Sequence, residues 1–234
     1  MTDNASSTPF VSCIMPTFNR RRFVPRAIYY FLSQDYPEKE LLILDDGVES
    51  AADLIPDDPC VRYVRLEGRE VLGRKRNLAC EEARGDIIAH WDDDDWMARS
   101  RLSYQVRNLL DQGADACGLD RLLFYEPQSG NAWSFYYCNG GRTWIAGGTL
   151  CYTKSFWRRN HFPEVDVGED TRFVWGSRDA NIVTHSDNTF YVAMIHDRNT
   201  SPKRTSSRHY RQYPVSEIRR ILGEDLALYS EPAR

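Results

Sequence analysis

Short apolar runs alternate with longer amphipathic segments along the first hundred residues of the chain. Runs of this length are typical of strands that are buried on both faces, and the longer segments have the periodicity of helices. Strands are predicted at 10–15, 40–44, 61–66 and 86–91, and helices at 23–34 and 72–84. This alternation predicts an α/β fold with a mostly parallel sheet flanked by helices.

The second half of the chain has shorter and less regular elements. A helix is predicted at 99–110, because Leu102, Val106 and Leu109 fall on one face. The other predicted elements are strands at 116–125, 132–137, 182–185 and 189–195 and helices that begin at 169 and 214. We expect the later strands to form a smaller, antiparallel sheet.

Composition excludes several classes of protein. Of the 234 residues, 41% are hydrophobic and 27% are charged, which is enough apolar material for a folded domain. A net charge of -4 gives no reason to expect nucleic-acid binding. No apolar run reaches the roughly 18 residues of a membrane span. Residues 1–9 are polar and lack the apolar region of a signal peptide, so we expect a disordered tail.

The six cysteines favour a reducing compartment. No pair has C-x-x-C spacing, which argues against a structural zinc site. Cys13 and Cys151 lie in apolar runs and Cys80 lies on a helical face, so buried free thiols are expected rather than disulfides. We therefore expect a cytoplasmic protein.

Polar residues follow three of the predicted strands. Thr17 and Asn19 follow the first strand, Asp45 and Asp46 the second, and residues 92–95 the fourth. Open α/β sheets bind ligands beyond the carboxyl ends of their strands, so these side chains are expected to share one crevice.

Four consecutive aspartates, at 92–95, are the most distinctive chemical feature. Like charges this close raise one another's pKa, so the run is unfavourable unless a cation neutralises it. Carboxylate oxygens suit Mg²⁺ or Mn²⁺, and the pattern of an EF-hand is absent. The alternative is an acidic, solvated turn, which the flanking Trp91 and Trp96 disfavour.

Common phosphate-binding motifs are not matched. The chain has no G-x-G-x-x-G, and residues 68–75 depart from a P-loop because Arg74 stands at the required lysine. Arg74, Lys75 and Arg76 instead open a predicted helix, where each either reaches a nucleotide or is solvated surface.

Several short motifs occur in a fixed order along the chain. They are Pro16-Thr17-Phe18-Asn19-Arg20, Leu44-Asp45-Asp46-Gly47, Gly73-Arg74-x-x-Asn77, Asp92-x-Asp94-Asp95, Gly168-Glu169-Asp170 and His196-x-x-Asn199. In these motifs, residues 10–202 resemble the family 2 glycosyltransferases, which have the GT-A fold. The resemblance implies an inverting transferase that uses a nucleotide-diphosphate sugar, with UDP as the first choice, and Mn²⁺ or Mg²⁺.

The resemblance also implies roles for individual residues. Those implied for the nucleotide sugar are Pro16, Thr17, Phe18, Asn19, Asp45, Asp46, Arg74, Asn77, Asp92, Asp93 and Gly148. The metal is assigned to Asp94, with Asp93 and His196, and would neutralise charge on the leaving diphosphate. Phe18 departs from the family pattern, in which tyrosine is frequent.

Inversion requires a base on the face opposite the leaving group, and the resemblance assigns that role to Asp170. Glu169 would bind the acceptor or begin the helix. Both acids are also explained as favourable charges at a helix N-terminus. His196 is open to three interpretations: a metal ligand, a diphosphate contact or an ordinary local residue.

Aromatic and basic residues are candidates on the acceptor side. Trp133, Tyr136 and Trp144 either stack on a sugar ring or belong to the core. The basic segment 197–211 is expected to be a flexible loop. It would act as a lid over the diphosphate, contact an anionic lipid-linked acceptor, or be a floppy tail.

We predict a single GT-A domain at 10–222, with a nucleotide-binding half at 10–97, an acceptor half at 98–196 and a tail at 223–234. The expected acceptor is a glycan, a lipid-linked sugar or a peptide. Peripheral contact with the inner face of the membrane and formation of a homo-oligomer stay open.

Two other functions stay open from the sequence. A nucleotidyltransferase shares the sheet and the acidic metal site, but usually has a Gly-rich phosphate loop near its N-terminus, and none precedes Phe23. A non-catalytic module that binds nucleotides or glycans would need no base, so the role of Glu169 and Asp170 separates it from an enzyme.

Overall fold

The computed structural model describes residues 8–137 and 142–229. Its strands are β1 Val11–Thr17, β2 Lys39–Asp45, β3 Val61–Arg65, β4 Ile87–His90, β5 Trp96–Met97, β6 Ala116–Gly118, β7 Arg121–Glu126, β8 Asn131–Tyr136, β9 Cys151–Thr153, β10 Ile182–Thr184, β11 Tyr191–Met194 and β12 Tyr210–Gln212. Its α-helices are α1 Val24–Leu32, α2 Leu72–Glu82, α3 Arg101–Asp111, α4 Lys154–Arg159, α5 Glu169–Gly176 and α6 Val215–Leu222. Short 3-10 helices lie at Ala52–Leu54, Gly147–Thr149 and Gly223–Tyr229.

The larger sheet has seven strands in the order β10-β6-β9-β4-β1-β2-β3. Strands β1 to β4 are parallel to their neighbours among themselves, and β9 runs antiparallel between β4 and β6. The predicted α/β fold with a mostly parallel sheet is confirmed. Because β1 lies between β2 and β4, the crevice at its carboxyl end is a topological switch point, where such sheets bind ligands.

Apolar side chains cover both faces of this sheet, which explains the nearly continuous apolar runs. Along β1, Cys13 and Met15 belong to the core cluster on one face, and Ile14 belongs to the cluster on the other. The first cluster includes Trp91, whose indole Nε1 donates to the carbonyl of Ala27 in α1 at 3.0 Å. The sheet is therefore held rigidly beneath its loops.

The smaller sheet has five strands in the order β12-β8-β7-β11-β5. β7 and β8 form an antiparallel hairpin, and β11 runs parallel to β7. The prediction of one strand at 116–125 is wrong, because β6 and β7 belong to different sheets. The hydroxyl of Thr149 accepts from the Leu119 N–H at 2.9 Å and binds the chain where it passes from one sheet to the other.

The ends of the chain also bear on the predicted boundaries. Residues 223–229 form a 3-10 helix rather than a tail, since Tyr229 is buried and Asp225 accepts from the Trp96 indole at 2.8 Å. In the predicted basic loop, Tyr210–Gln212 is a strand paired with β8. Residues 1–7 and 230–234 lie outside the described part.

Five cysteines within the described part are free thiols, and four of them, Cys13, Cys80, Cys117 and Cys151, are buried. Cys138 lies outside the described residues. No helix between residues 8–137 or 142–229 is long and apolar enough to cross a membrane.

Candidate active site

A cavity of about 740 Å³ opens beyond the carboxyl ends of β1 and β4. The residues after β1, the aspartates after β4, the Gly147–Gly148 turn and the N-terminus of α5 all line it. These segments are far apart in sequence, and the sheet topology brings them together as the strand ends predict. The cavity continues over the smaller sheet.

The four aspartates after β4 do not share one environment. Asp93, Asp94 and Asp95 are buried, and Asp92 is partly exposed to the cavity. Asp95 accepts from the Tyr191 hydroxyl and from the Met194 N–H, the latter at 2.7 Å. Asp95 is therefore bound to β11 and connects the two sheets.

Asp93 and Asp94 are paired with Arg20, which follows β1. The Arg20 Nε lies 2.9 Å from Asp93 Oδ1, and an Nη of the same guanidinium contacts Asp94 Oδ2. Asp93 also accepts from the Thr17 hydroxyl at 2.7 Å. Asp94 Oδ2 lies 2.9 Å from His196 Nε2. Arg20 is thus the cation in direct contact with the middle of the acidic run.

The pKa values of these carboxyls follow from burial and from Arg20. Burial raises the pKa of Asp93 to about 7, although the charge of Arg20 opposes the shift. Burial and the neighbouring Asp94 raise the pKa of Asp95 well above its usual range. Burial would raise the pKa of Asp94 too, but the hydrogen bond from His196 and the charge of Arg20 outweigh it, so that pKa is lowered.

His196 contacts the acidic run from behind. Its ring stacks on Phe23 with the centroids 4.7 Å apart. Nδ1 accepts from the Arg198 N–H at 3.1 Å, which leaves the proton on Nε2 to be donated to Asp94. The imidazole therefore binds a carboxylate in this arrangement, and the nitrogen that a metal would need is occupied.

The predicted metal ligands are Asp93, Asp94 and His196. Their chemistry suits a divalent ion, because carboxylate and imidazole are ligands of Mg²⁺ and Mn²⁺. Their arrangement does not, because Arg20 contacts Oδ1 of Asp93 and Oδ2 of Asp94. Within residues 8–137 and 142–229, no group of three or more His, Cys, Asp or Glu side chains is placed to hold one ion.

Asp45 and Asp46, predicted to bind the nucleotide, are bound by protein donors. Asp46 forms an ion pair with Lys75 at 2.7 Å and accepts from the Glu70 N–H at 2.8 Å. Asp45 accepts from Gly47 N–H, Ala51 N–H and Tyr63 OH. Burial would raise the pKa of Asp45, but these hydrogen bonds outweigh it and lower that pKa. Neither side chain lines the cavity.

The loop after β1 forms one wall of the cavity. Pro16, Phe18 and Asn19 line it, whereas Thr17 is buried against Asp93. Asn19 adopts a left-handed backbone with φ of 54°, and its side-chain oxygen accepts from the Val48 N–H at 2.7 Å. This contact fixes the loop after β1 against the loop after β2.

Helix α2 presents different basic residues from the one predicted. Arg74 is bound on the surface, 3.1 Å from Glu70 and 3.3 Å from Glu164. Lys75 and Arg76 line the cavity instead. Asn77 accepts from the Trp157 indole and the Phe162 N–H, both at 3.0 Å, so it joins α2 to α4.

Arg76 is the basic residue closest to the predicted catalytic pair. Its guanidinium lies 3.3 Å from Glu169 Oε1 and contacts the ring of His90. Burial, with Asp170 adding to it and Arg76 opposing it, raises the pKa of Glu169. Arg76 was only weakly indicated by the sequence, as one of three adjacent basic residues at the start of a predicted helix.

Asp170 and Asp92 both lie close to the Gly147–Gly148 turn. A Cβ on Gly147 would lie 3.0 Å from Cγ of Asp170, and one on Gly148 would lie 3.1 Å from Cγ of Asp92. Only glycine lets both carboxylates approach the backbone this closely. The turn is held by His90 Nδ1, which donates to the Gly147 carbonyl at 2.7 Å.

The far end of the cavity is aromatic, with one basic residue, Lys203, beside it. Trp144 lines it together with Phe135, whose ring centroid is 5.4 Å away. Trp133 and Tyr136, predicted alongside Trp144, do not line the cavity. Lys203, from the predicted basic segment, lies at this end with its Nζ 5.8 Å from the centroid of the Phe124 ring, whereas Arg198 lines the cavity beside Arg20. Nothing in the sequence singled out Phe135.

Comparison with known proteins identifies the family of the chain. The chain matches the family model "Glycosyl transferase family 2" over residues 12–160, more than half of its length. It belongs to the family 2 glycosyltransferases. The match confirms the resemblance carried by the motifs, and it covers the acidic run and the Gly147–Gly148 turn but ends before Asp170.

Two curated relatives match this family 2 chain over less than half of its length. It is 31% identical over 107 residues to an uncharacterized glycosyltransferase of Haemophilus influenzae, which covers 44% of this chain and 43% of that protein. It is 35% identical over 102 residues to the putative colanic acid biosynthesis glycosyl transferase WcaA of Escherichia coli, which covers 42% and 37%. The matched regions thus span about two fifths of these relatives.

Solved structures share the fold at low sequence identity. Staphylococcus aureus TarS 1–349 in complex with UDP-GlcNAc has a TM-score of 0.63 at 17% identity, covering 94% of this chain and 66% of that one. The mannosyltransferase PcManGT of Pyrobaculum calidifontis, in complex with GDP-Man and Mn²⁺, has a TM-score of 0.63 at 20% identity, covering 85% and 59%. The predicted GT-A fold is confirmed.

Proposed function

We propose that this family 2 chain transfers a sugar from a nucleotide-diphosphate sugar to an acceptor hydroxyl, with inversion and with Asp170 as the base. The observation that carries the proposal is that Asp170 lies close to Gly147 and Asp92 close to Gly148, so that both carboxylates adjoin one turn in one cavity. In this proposal, a sugar bound at the turn has Asp92 on its donor side and Asp170 on its acceptor side.

The donor is assigned to the end of the cavity beyond β1 and β4. Two proteins that share this fold were solved with nucleotide sugars: TarS in complex with UDP-GlcNAc, and PcManGT in complex with GDP-Man. UDP is the first choice for this chain. The diphosphate charge would be met by basic side chains that line the cavity, among them Arg69, Arg76 and Arg198. A role for Mn²⁺ or Mg²⁺ stays a prediction, and we assign no step to it.

The acceptor reaction is a direct displacement. The acceptor oxygen forms a bond to the anomeric carbon, the bond from that carbon to the diphosphate oxygen breaks, and the acceptor proton moves to Asp170. Asp170 Oδ1 accepts from the Thr171 N–H at 2.6 Å, which fixes the carboxylate, and its Oδ2 is directed toward Gly147. Glu169 is buried against Arg76, so we assign it a positioning role.

The acceptor itself is assigned by chemical class. The aromatic end of the cavity, with Trp144 and Phe135, suits the apolar face of a sugar ring. The positive charge of Lys203 favours an anionic group next to that sugar ring. We therefore propose a glycan or lipid-linked sugar as acceptor, in preference to a peptide.

A panel of sugar donors tests the proposal. UDP-, GDP-, CDP- and dTDP-sugars are added to the protein together with a panel of glycan and lipid-linked sugar acceptors, and the melting temperature and the release of nucleoside diphosphate are measured with and without Mn²⁺. We expect one nucleotide to raise the melting temperature and its sugar conjugate to be consumed, by ligand linkage. A protein that binds a nucleotide but releases none from any conjugate would be a binding module, and the proposal would be wrong.

A further inference from the structure

Arg20 makes an unusual set of contacts for a side chain at the end of a strand. Its guanidinium lies against both central aspartates, at 2.9 Å from Asp93 and in contact with Asp94. The arginine side chain is 14% exposed, and the Asp93 and Asp94 side chains are 4% and 11% exposed. Charge-assisted pairs so well shielded from water are strong, and the planar fork of arginine suits two carboxylates.

The same guanidinium also holds the segment that follows β11. Its Nη1 donates to the carbonyl of Arg198 at 3.2 Å and to the hydroxyl of Thr200 at 3.3 Å. Arg198 and Thr200 both line the cavity. Arg20 therefore joins the acidic run to the start of the basic segment through one side chain.

We propose that Arg20 is the resident cation of the acidic run, and that it excludes a divalent ion from the protein when no nucleotide is bound. The inference deepens the proposed function, on which it rests for the meaning of the cavity. It reverses the expectation from sequence, in which the four aspartates wait for a metal ion.

Competition for the same oxygens is the physical reason. An ion bound by Asp94 Oδ2 would need the oxygen that Arg20 and His196 Nε2 already contact. Asp95 offers no alternative, because its oxygens accept from Tyr191 and Met194. A divalent ion placed beside the guanidinium would also be repelled by it. Removal of Arg20 would free Oδ1 of Asp93 at the cavity and would leave Oδ2 of Asp94 in contact with His196 but no longer with a fixed positive charge. One or two carboxylates with water suffice for Mn²⁺.

Binding of Mn²⁺ to the nucleotide-free protein tests this directly, by electron paramagnetic resonance and calorimetry. The test variant is Arg20→Gln. The matched control is Arg21→Gln, which removes the same charge from the next residue, where the arginine pairs with the exposed Asp53. We expect Arg20→Gln to bind Mn²⁺ at least about tenfold more tightly than wild type, since the charge-assisted hydrogen bond to Asp94 and the ion pair to Asp93, both lost in the variant, are together worth that much. Arg21→Gln should match wild type.

Equal Mn²⁺ affinity of wild type and Arg20→Gln, whether tight or undetectable, would overturn the proposal. Should Arg20→Gln fail to fold, Arg20→Lys serves instead. An ammonium cannot hold both carboxylates in a fork, so this variant should also bind Mn²⁺ more tightly than wild type. Wild-type affinity in a folded Arg20→Lys would again overturn the proposal.

Hydrogen exchange gives a second measurement without a metal. Amides at 198–201 should exchange faster in Arg20→Gln than in wild type, and Arg21→Gln should leave them unchanged. Unchanged exchange in Arg20→Gln would contradict the link to this segment. Neither measurement uses a sugar donor, so failure of this inference is distinguishable from failure of the proposed transferase reaction.

Discussion

Two acidic pairs near the cavity have opposite surroundings. Asp45–Asp46 follows β2, and both side chains are buried and bound by protein donors. Glu169–Asp170 begins α5, where Glu169 is buried against Arg76 while Asp170 lines the cavity and is hydrogen-bonded to the Thr171 N–H. The first pair therefore shapes the loops around the site, and the second places one carboxylate where a substrate can meet it.

The difference shows what position in the sequence can and cannot establish. Both pairs lie at the end of an element that points toward the same cavity. Lys75, which stands on α2, reaches Asp46, whereas the glycine turn at 147–148 leaves room beside Asp170. Whether a carboxylate binds substrate or protein is decided by its neighbours from other parts of the chain.

Among the substitutions that distinguish the two acidic pairs, Asp170→Asn is expected to have the largest effect, which is on turnover. The amide keeps the shape of the side chain but cannot accept a proton, so kcat should fall by roughly 10²–10⁴-fold. Donor affinity, measured by calorimetry, should stay within a factor of about three, because the loss belongs to the transition state. Asp179→Asn, which makes the same change at an exposed position of the same region, is the control.

Near-normal turnover of Asp170→Asn would remove Asp170 as the base. Equal loss of turnover and of donor binding would place it in the nucleotide site instead, next to Asp92.

Asp46→Asn tests the other pair. The change leaves the buried Lys75 without its ionic partner, so the free energy of unfolding should fall by about 3–5 kcal/mol. Urea denaturation measures it, with Asp53→Asn, which breaks the exposed pair to Arg21, as a control expected to lose far less stability because exposed ion pairs contribute little. An unchanged urea midpoint together with lost nucleotide affinity would mean that Asp46 binds substrate, as the resemblance implied.

His185 provides a contrast away from the cavity, because its Nε2 is buried without a hydrogen-bond partner among the described residues. Burial lowers its pKa from 6.5 to about 4. As the pH falls, the unfolded chain therefore takes up a proton on His185 at a higher pH than the folded protein does. The stability of the folded protein is unaffected by this residue above pH 6.5, and it decreases as the pH falls from about 6.5 to about 4. We expect wild type to lose about 1–2 kcal/mol more than His185→Phe over this range, measured by urea denaturation. Parallel pH profiles of the two proteins would contradict the assignment.

Arg74→Gln should have the smallest effect. Arg74 is bound to Glu70 and Glu164 on the surface, where ion pairs contribute little to stability because water and salt screen them. Its substitution should leave nucleotide affinity unchanged in calorimetry, whereas Arg76→Gln should weaken it. A loss of nucleotide affinity in Arg74→Gln comparable to that in Arg76→Gln would show that α2 presents a different face to the donor.

Much of the fold was predictable from local patterns. The strands β1, β2 and β4 are mostly apolar runs buried on both faces, and such runs are recognisable without tertiary information. The separation of β6 from β7 was not predictable, since it depends on the hydrogen bond between Thr149 and Leu119, which are 30 residues apart.

The site was predictable in its outline but not in its pairing. The aspartates at 92–95, Gly148 and the Glu169–Asp170 pair line the cavity as the motifs suggest. Arg74 and Asn77 do not, because the packing of α2 against its neighbours decides which of its polar residues face the cavity. Arg20 stood within a recognised motif, but its role depends on two carboxylates more than 70 positions away.

The stereochemistry of transfer tests the central claim most directly. Once the donor panel has identified an α-linked nucleotide sugar that is consumed, the anomeric configuration of the product is measured by proton nuclear magnetic resonance. Direct displacement with Asp170 as the base predicts a β-linked product, because the acceptor attacks the face opposite the diphosphate. A product that keeps the α-linkage would contradict it, since retention requires a mechanism in which Asp170 is not the base of a single displacement.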